Sequence, residues 1–343
     1  MGRPRDRSWQ LPFVALAAIW GASFLFIKVA VEDLPPVAVA LGRVALGAAV
    51  LLAVLAARRE ALPRGRVVWA HLAVAAVLVN AVPFTLFAAG EEHVSSVLAG
   101  IWNATTPLWT LAVVTIALPE ERPTRARVAG LAVGFAGVLV VLGPWRGLGG
   151  AELEGQLLCG AAVIGYALGF PYMRRFLSGR PESGVSIAAG HLVCATAMLA
   201  IAAAVTGAAP RGLATDTVGA MLGLGVLGTG LAYVLSFAIV RRAGATTATS
   251  VTYLIPLFST ALGIAVLGES LTWNQPVGGA IALAGIALSQ HAMRLRWRAW
   301  QARAGVSQQP PAAWPPRSRS PRHRPTDTAT SPPRPAGPPS ASR

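Results

Sequence analysis

Two ionisable residues, Arg43 and His191, stand inside long apolar stretches of the sequence. An Arg near the centre of a membrane-crossing helix costs about 2.5–3.5 kcal/mol on insertion scales, so it usually faces a water-filled cavity or a partner. A guanidinium can hold a carboxylate or phosphate through two parallel hydrogen bonds. We therefore expect a binding site for an anionic group. The alternatives are an Arg43 that extends to the nearer headgroups and a His191 that is a packed helix residue.

Two prolines interrupt apolar segments and release backbone carbonyls there. Pro107 frees the carbonyl of Asn103, and Pro256 frees that of Thr252. Free carbonyls beside hydroxyl groups suit a polar ligand cavity at membrane depth. A simple kink, whose hydroxyls bond their own helix, explains the pattern equally well. The remaining candidate substrate-binding residues are polar or aromatic: Thr106, Tyr253, Trp20, Lys28 and Asn80.

Lys28 is the only lysine of the chain and lies near the end of the first apolar segment. A lysine in that position commonly extends its ammonium group to the headgroups. This interpretation is favoured for Lys28, although the residue stays in the candidate set.

The segments that position these residues are long and apolar. Charged residues make up 13% of the chain, and the mean hydropathy is +0.56. About 20 apolar residues in a helix cross the roughly 30 Å hydrocarbon core, and a helix satisfies its own backbone in lipid. The sequence predicts an all-α polytopic membrane protein with ten transmembrane helices, at approximately 11–31, 37–57, 67–89, 94–118, 128–143, 156–173, 184–206, 217–240, 246–267 and 276–292.

Basic residues alternate between the connections of these ten segments. Nineteen Arg residues fall before the first segment, in every second connection or between the last segment and Arg303, whereas the other connections hold Lys28, Arg146 and Arg211. Positive residues concentrate on the cytoplasmic side of membrane proteins. The distribution predicts that both termini are cytoplasmic and that the protein is a multi-pass protein of the plasma (inner) membrane.

Equivalent residues recur at a nearly constant offset in the two halves of the chain. The offset is 149 for the pairs Pro107–Pro256 and Glu120–Glu269, and 148 for Arg43–His191. Each half holds five predicted helices, an odd number, so the second half enters the membrane from the opposite side. The sequence predicts two inverted five-helix repeats, an architecture that places a substrate site near the midplane.

Several of these features belong together in one known family. They are a Trp-Gly-Ala-Ser-Phe run at 20–24 followed by Lys28 and Arg43, a proline helix ending at Glu in each half, and a glycine-rich helix closing each half. The chain resembles the EamA family of the drug/metabolite transporter superfamily over residues 11–292. The resemblance implies ten helices in two inverted repeats, and transport of small metabolites, often as export.

The resemblance and the charge pattern divide the chain into five segments. They are a cytoplasmic N-terminus (1–10), a first EamA-like five-helix repeat (11–143), an outer linker (144–155), a second such repeat (156–292) and a basic disordered cytoplasmic tail (293–343). The tail holds ten Arg residues and Asp327, so it carries +9 of the net charge of +15. Its composition lacks the apolar residues of a core and indicates disorder, without a nucleic-acid-binding module.

The expected function is a secondary transporter, exporting small polar metabolites such as amino acids or organic acids by alternating access. Glu91, Glu269 and the other acidic residues stand at the ends of segments or in loops, which argues against proton-coupled export of lipophilic cations. The alternatives are a multidrug-type efflux carrier, a membrane-embedded enzyme or a scaffold. No catalytic motif predicts an enzyme, a cofactor or a metal site. The expected partners are a small-molecule substrate, the lipid bilayer and a coupling ion, with the protein a monomer or a homodimer.

Overall fold

The computed structural model describes residues 8–117, 125–146 and 149–304, and all regular structure in these ranges is helical. The first half contains seven α-helices: α1 (Gln10–Asp33), α2 (Pro36–Arg58), α3 (Arg66–Ala76), α4 (Val82–Glu91), α5 (Ser96–Ala104), α6 (Thr106–Ala117) and α7 (Arg125–Leu142). The second half contains seven more: α8 (Gly150–Phe176), α9 (Gly184–Thr206), α10 (Thr215–Leu222), α11 (Ala232–Ala243), α12 (Ala245–Ser250), α13 (Ile255–Leu267) and α14 (Asn274–Ala304).

Several of these helices join into longer apolar rods. A π-helical segment at Val77–Ala81 links α3 to α4, and another at Gly223–Leu231 links α10 to α11. Within the described residues, eight helices are long and apolar enough to cross a membrane, and Val128–Leu142 is a shorter apolar helix. The predicted all-helical membrane architecture is therefore confirmed, while the count of ten spans stays a prediction.

Two boundaries differ from those that the sequence predicts. Helix α8 begins at Gly150, within the predicted linker, because Ala-Glu-Leu-Glu after Gly150 are good helix formers. Helix α14 continues to Ala304, so the predicted disordered tail does not begin at 293. Ala, Leu, Arg and Gln favour a helix there and the next proline is Pro310. Glu120, used in the repeat argument, lies outside the described residues.

Helices of the first half pack against helices of the second half. Helix α2 packs on α9, α4 on α8, α7 on α14, and α1 on both α13 and the π-segment Gly223–Leu231. The α7–α14 contact is backbone to backbone: a Cβ on Gly137 would lie 2.4 Å from the amide nitrogen of Ala282. Small residues allow such close approach of apolar helices, so the glycine-rich helices lock the two halves together.

The helices end at two opposite sides of the bundle, which we call the Asp33 end and the Arg242 end. At the Asp33 end, the Asp33 carboxylate accepts hydrogen bonds from the Ala214 amide (3.0 Å) and the Thr217 hydroxyl (2.5 Å). At the opposite, Arg242 end, Arg242 donates to the Ser8 carbonyl, and the hydroxyl of Ser186 donates to the Ala61 carbonyl at 2.7 Å. The described connections after α1 and α9 therefore lie at the Asp33 end, and those after α2 and α11 lie at the Arg242 end.

Candidate functional site

Arg43 lies inside the bundle and does not extend to a helix end. Its side chain is 9% exposed. The Nε atom donates to the Thr229 hydroxyl at 3.1 Å, and the guanidinium carbon stands 3.7 Å from the centroid of the Phe84 ring. These are the contacts that the described part of the chain gives it, so the terminal nitrogens keep donor capacity for a ligand. The alternative of an Arg43 among the headgroups is wrong.

Polar and aromatic groups surround the Arg43 guanidinium. Tyr166 and Tyr233 lie within electrostatic range of it. Asn80 is fully buried; its amide nitrogen makes a long contact of 3.5 Å with the Tyr233 hydroxyl, and its amide oxygen has no partner among the described residues. Buried polar atoms nearly always have partners, so this orphaned oxygen indicates a place for a ligand or water. We call Arg43, Asn80, Phe84, Thr229 and Tyr233 the Arg43 cluster.

His191 lies beside this cluster but is not hydrogen-bonded. It is fully buried, its ring packs edge-on against Tyr233 with the centroids 5.6 Å apart, and neither ring nitrogen has a partner in the described ranges. The structure thus brings together Arg43, His191 and Asn80, the candidates on α2, α9 and the first π-segment. A His191 that is only a packed, hydrogen-bonded helix residue does not match this geometry.

The two π-helical segments position the cluster. Asn80 lies in the first segment and Thr229 in the second, and the two residues are 149 positions apart. Phe84 and Tyr233, one turn further on, show the same offset. A π-turn widens the helix and frequently occurs at functional sites. Corresponding parts of the two halves therefore supply most of the polar groups around Arg43.

The regions around Pro107 and Pro256 differ from the Arg43 cluster in how their polar groups are hydrogen-bonded. The Thr106 hydroxyl donates to the Asn103 carbonyl at 2.6 Å, so the carbonyl that Pro107 releases is already occupied. The hydroxyl of Thr105 likewise bonds the carbonyl of Trp102. At Pro256 the helix is interrupted by a 3-10 turn at Val251–Tyr253. The hydroxyl groups of Thr105 and Thr106 thus bond the last carbonyls of α5, as the simple-kink alternative requires.

The remaining aromatic candidates lie against the main apolar core. Trp20 on α1 and Tyr253 in the 3-10 turn are partly buried and pack against the same set of buried residues. Thr252 and Pro256 are half-buried next to Tyr253. The two aromatic side chains are placed by the main apolar core, whereas Arg43 is placed by Thr229 and Phe84.

Lys28 and two glutamates form a third constellation at the Asp33 end, which we call the Glu91 corner. The Lys28 ammonium donates to the backbone carbonyls of Glu91 (2.6 Å) and Val94 (2.9 Å) where α4 ends. The Glu269 carboxylate accepts from the Ser96 amide and hydroxyl and from the Val97 amide at 2.8–3.0 Å, where α5 begins. Cations at helix C-termini and anions at N-termini are stabilised by the helix dipole. The interpretation of Lys28 as a residue extending to the headgroups is wrong.

Sequence reasoning missed two residues of these sites. Phe84 carries no charge or polar group, although its 149-residue offset from Tyr233 was a signal. The Glu91 side chain is fully buried, whereas its place next to Glu92 at a segment end indicated a solvated acid. Its burial comes from the packing of α8 on α4, which no local pattern reveals.

Comparisons with known proteins identify similarities to one family of transporters. The sequence profile described as the EamA-like transporter family matches twice, over residues 7–143 and 153–290. An uncharacterized transporter of Archaeoglobus fulgidus is 27% identical, with 79% of this chain and 93% of that protein covered. The uncharacterized inner membrane transporter YedA of Escherichia coli K12 is also 27% identical, with coverages of 75% and 82%.

A plant protein and a crystal structure extend these comparisons. The chloroplastic WAT1-related protein At3g02690 of Arabidopsis thaliana is 27% identical over 78% of this chain and 66% of its own length. One protein of known crystal structure shares the fold with a TM-score of 0.59 and 22% identity, over 84% of this chain and 98% of that one. The apolar helices and both profile matches together make this chain a multi-pass membrane protein that belongs to the EamA-like transporter family.

Proposed function

We propose that the protein is a secondary transporter that exports small polar metabolites with an anionic group, such as amino acids or organic acids, across the plasma membrane. The observation that carries this proposal is the buried Arg43, a permanent cation with one hydrogen bond and no acidic partner in the described residues. A buried charge without a partner is expensive. A carboxylate of the substrate would supply the missing partner through two hydrogen bonds.

Alternating access is the proposed mechanism. Matching parts of the two halves meet at the Arg43 cluster, and the family profile matches each half separately. Both facts support two inverted repeats around a shared site. Arg43, Asn80, Thr229 and His191 are at most 9% exposed, which supports an occluded conformation of the transport cycle.

The proposed orientation places both termini in the cytoplasm. Nine arginines lie at the Arg242 end, where α2 ends and α3 begins, where α8 ends, and where α11 ends: Arg58, Arg59, Arg64, Arg66, Arg174, Arg175, Arg180, Arg241 and Arg242. The Asp33 end has Lys28 and Arg211. The positive-inside rule then makes the Arg242 end cytoplasmic.

A flux assay tests this function directly. The full-length protein is reconstituted into liposomes loaded with radiolabelled L-alanine, L-glutamate, L-malate or citrate, with protein-free liposomes as the control. We expect at least one of these four carboxylate-containing metabolites to exchange faster than in the control. Transport of a lipophilic cationic dye alone would instead support the alternative, a multidrug-type efflux carrier, which the buried Glu91 carboxylate favours.

A further inference from the structure

The Glu91 side chain is a buried carboxyl group that the Arg43 cluster does not use. Both of its oxygens lack a hydrogen-bond partner among the described residues, and the side chain is fully buried. An isolated ionised carboxylate in an apolar interior carries a very large desolvation cost, whereas the protonated acid carries far less. The geometry of this conformation therefore fits a Glu91 that holds a proton.

The surroundings of Glu91 make its proton exchangeable rather than permanent. The charged or titratable groups near it come from four neighbouring elements: Lys28 on α1, Arg43 on α2, Cys159 on α8 and Glu269 after α13. Glu92 and His93, which follow it, are exposed. Lys28 and Arg43 favour the ionised carboxylate, whereas burial and the Glu269 carboxylate favour the protonated acid, so loss of the proton is compensated in part inside the bundle.

The Lys28 ammonium has two alternative kinds of hydrogen-bond acceptor beside Glu91: backbone carbonyls and the ionised Glu91 carboxylate. With Glu91 neutral, its ammonium bonds the carbonyls of Glu91 and Val94 and so ties α1 to the turn between α4 and α5. An ionised Glu91 carboxylate would compete for the same ammonium, because a charge-assisted bond is stronger than a bond to a carbonyl. Proton loss would then loosen the tie between α1 and this turn.

We propose that Glu91 is the binding site of the coupling ion, and that this ion is a proton. The proposal rests on the proposed transport function. A metal cation fits the site poorly, because the Lys28 ammonium already occupies the neighbourhood and the described residues contain no cluster of metal-ligating side chains. A carboxylate oxygen of Glu91 takes a proton from water in one conformation and returns it to water in the other. When Glu91 gains or loses this proton, its charge changes within electrostatic range of Arg43, where the substrate anion binds.

Infrared spectroscopy tests proton binding without any substrate. A protonated carboxylic acid has a C=O stretch that the ionised form lacks, so the band of Glu91 should disappear as the pH of the full-length protein is raised. Glu91→Gln should remove this band, whereas Glu92→Gln, a change of the exposed neighbour, should keep it. An identical set of carboxylic acid bands in wild type and Glu91→Gln would overturn the proposal.

Flux measurements test the coupling separately. A pH difference of about one unit supplies about a tenfold driving force per proton, so wild-type liposomes should release the transported anion against a gradient of about that size. Glu91→Gln should lose the dependence of anion release on the pH difference, while Glu92→Gln should behave as wild type. An unchanged pH dependence in Glu91→Gln would contradict the proposal. Absence of flux for all four metabolites in wild type would reject the transport function instead, and the infrared result would still decide whether Glu91 binds a proton.

Discussion

The Arg43 cluster and the Glu91 corner both bury an ionisable group, but they differ in how its charge can be neutralised. Arg43 keeps its charge at every physiological pH and has no carboxylate hydrogen-bonded to it among the described residues, so a ligand anion would be its direct partner. Glu91 can be neutralised by a proton. The cluster combines matching residues of both halves, such as Asn80 and Thr229, whereas the position 149 residues after Glu91 is Val240. Under the proposed roles of the two sites, substrate binding uses matching positions of the two halves and ion coupling uses a position that has no acidic counterpart.

The largest effect is expected when the permanent positive charge of Arg43 is removed. Arg43→Ala should lower anion flux by about 100-fold, because losing one partner of a buried charge pair costs about 3 kcal/mol. The measurement is exchange of the transported anion in liposomes at equal protein density. Arg58→Ala, which removes an exposed arginine of the same helix, is the control and should keep wild-type flux. Wild-type flux in Arg43→Ala would remove the basis of the proposed site.

The Glu91 corner should respond to a change at Lys28 through the turn that it holds. Lys28→Met removes two hydrogen bonds to carbonyls and leaves those carbonyls without a donor. We expect the folded protein to lose about 2 kcal/mol of stability and flux to fall about tenfold. Thermal unfolding in detergent and anion exchange measure the two effects. Unaltered unfolding would mean that Lys28 does not hold the turn.

Thr229 tests the contact between the two halves at the cluster. Thr229→Val keeps the shape but leaves the Arg43 Nε–H without its acceptor, which should cost about 1.5 kcal/mol of stability. Thr229→Ser retains a hydroxyl and should cost less. Thermal unfolding of the two variants in parallel separates the hydrogen bond from the packing of the methyl group. Equal losses in both variants would show that the hydroxyl contributes nothing.

The smallest effect is expected at His191. Its ring nitrogens have no described partner, so His191→Leu removes an unsatisfied polar group and should change stability by less than about 0.5 kcal/mol. Flux should fall by no more than about tenfold, well short of Arg43→Ala. Thermal unfolding and anion exchange give both values. A loss of flux as large as that of Arg43→Ala would show that His191 is as important as Arg43 and would contradict this expectation.

The sequence predicted the Arg43 cluster better than the Glu91 corner, for a physical reason. An arginine inside an apolar segment is costly wherever the helix packs, so its type and place alone indicate a function. The 149-residue offset also relates Asn80, a predicted site residue, to Thr229. In contrast, an acid at a helix end is ordinarily solvated, and only the packing of α8 against α4 buries Glu91. The role of Lys28 depended on which carbonyls lay opposite α1, which is also a tertiary property.

Helix boundaries and proline sites were likewise predicted only in part from the sequence. The apolar segments predicted the helices, but the starts and ends at Gly150 and Ala304 depended on local helix propensity in polar sequence. The prolines correctly indicated interruptions of helical hydrogen bonding. Whether the released carbonyls would be free for a ligand depended on side-chain rotamers. The Thr106 hydroxyl donates a hydrogen bond to the Asn103 carbonyl and so occupies it.

The most direct test of the central claim compares a transported anion with its neutral amide in two forms of the protein. If the Arg43 guanidinium holds the carboxylate, wild type should exchange the acid about 100-fold faster than the amide, because the charged hydrogen bonds are lost with the amide. In Arg43→Ala the two compounds should exchange at similar, low rates. The same preference for the acid in both proteins would contradict the claim, since the carboxylate would then bind elsewhere.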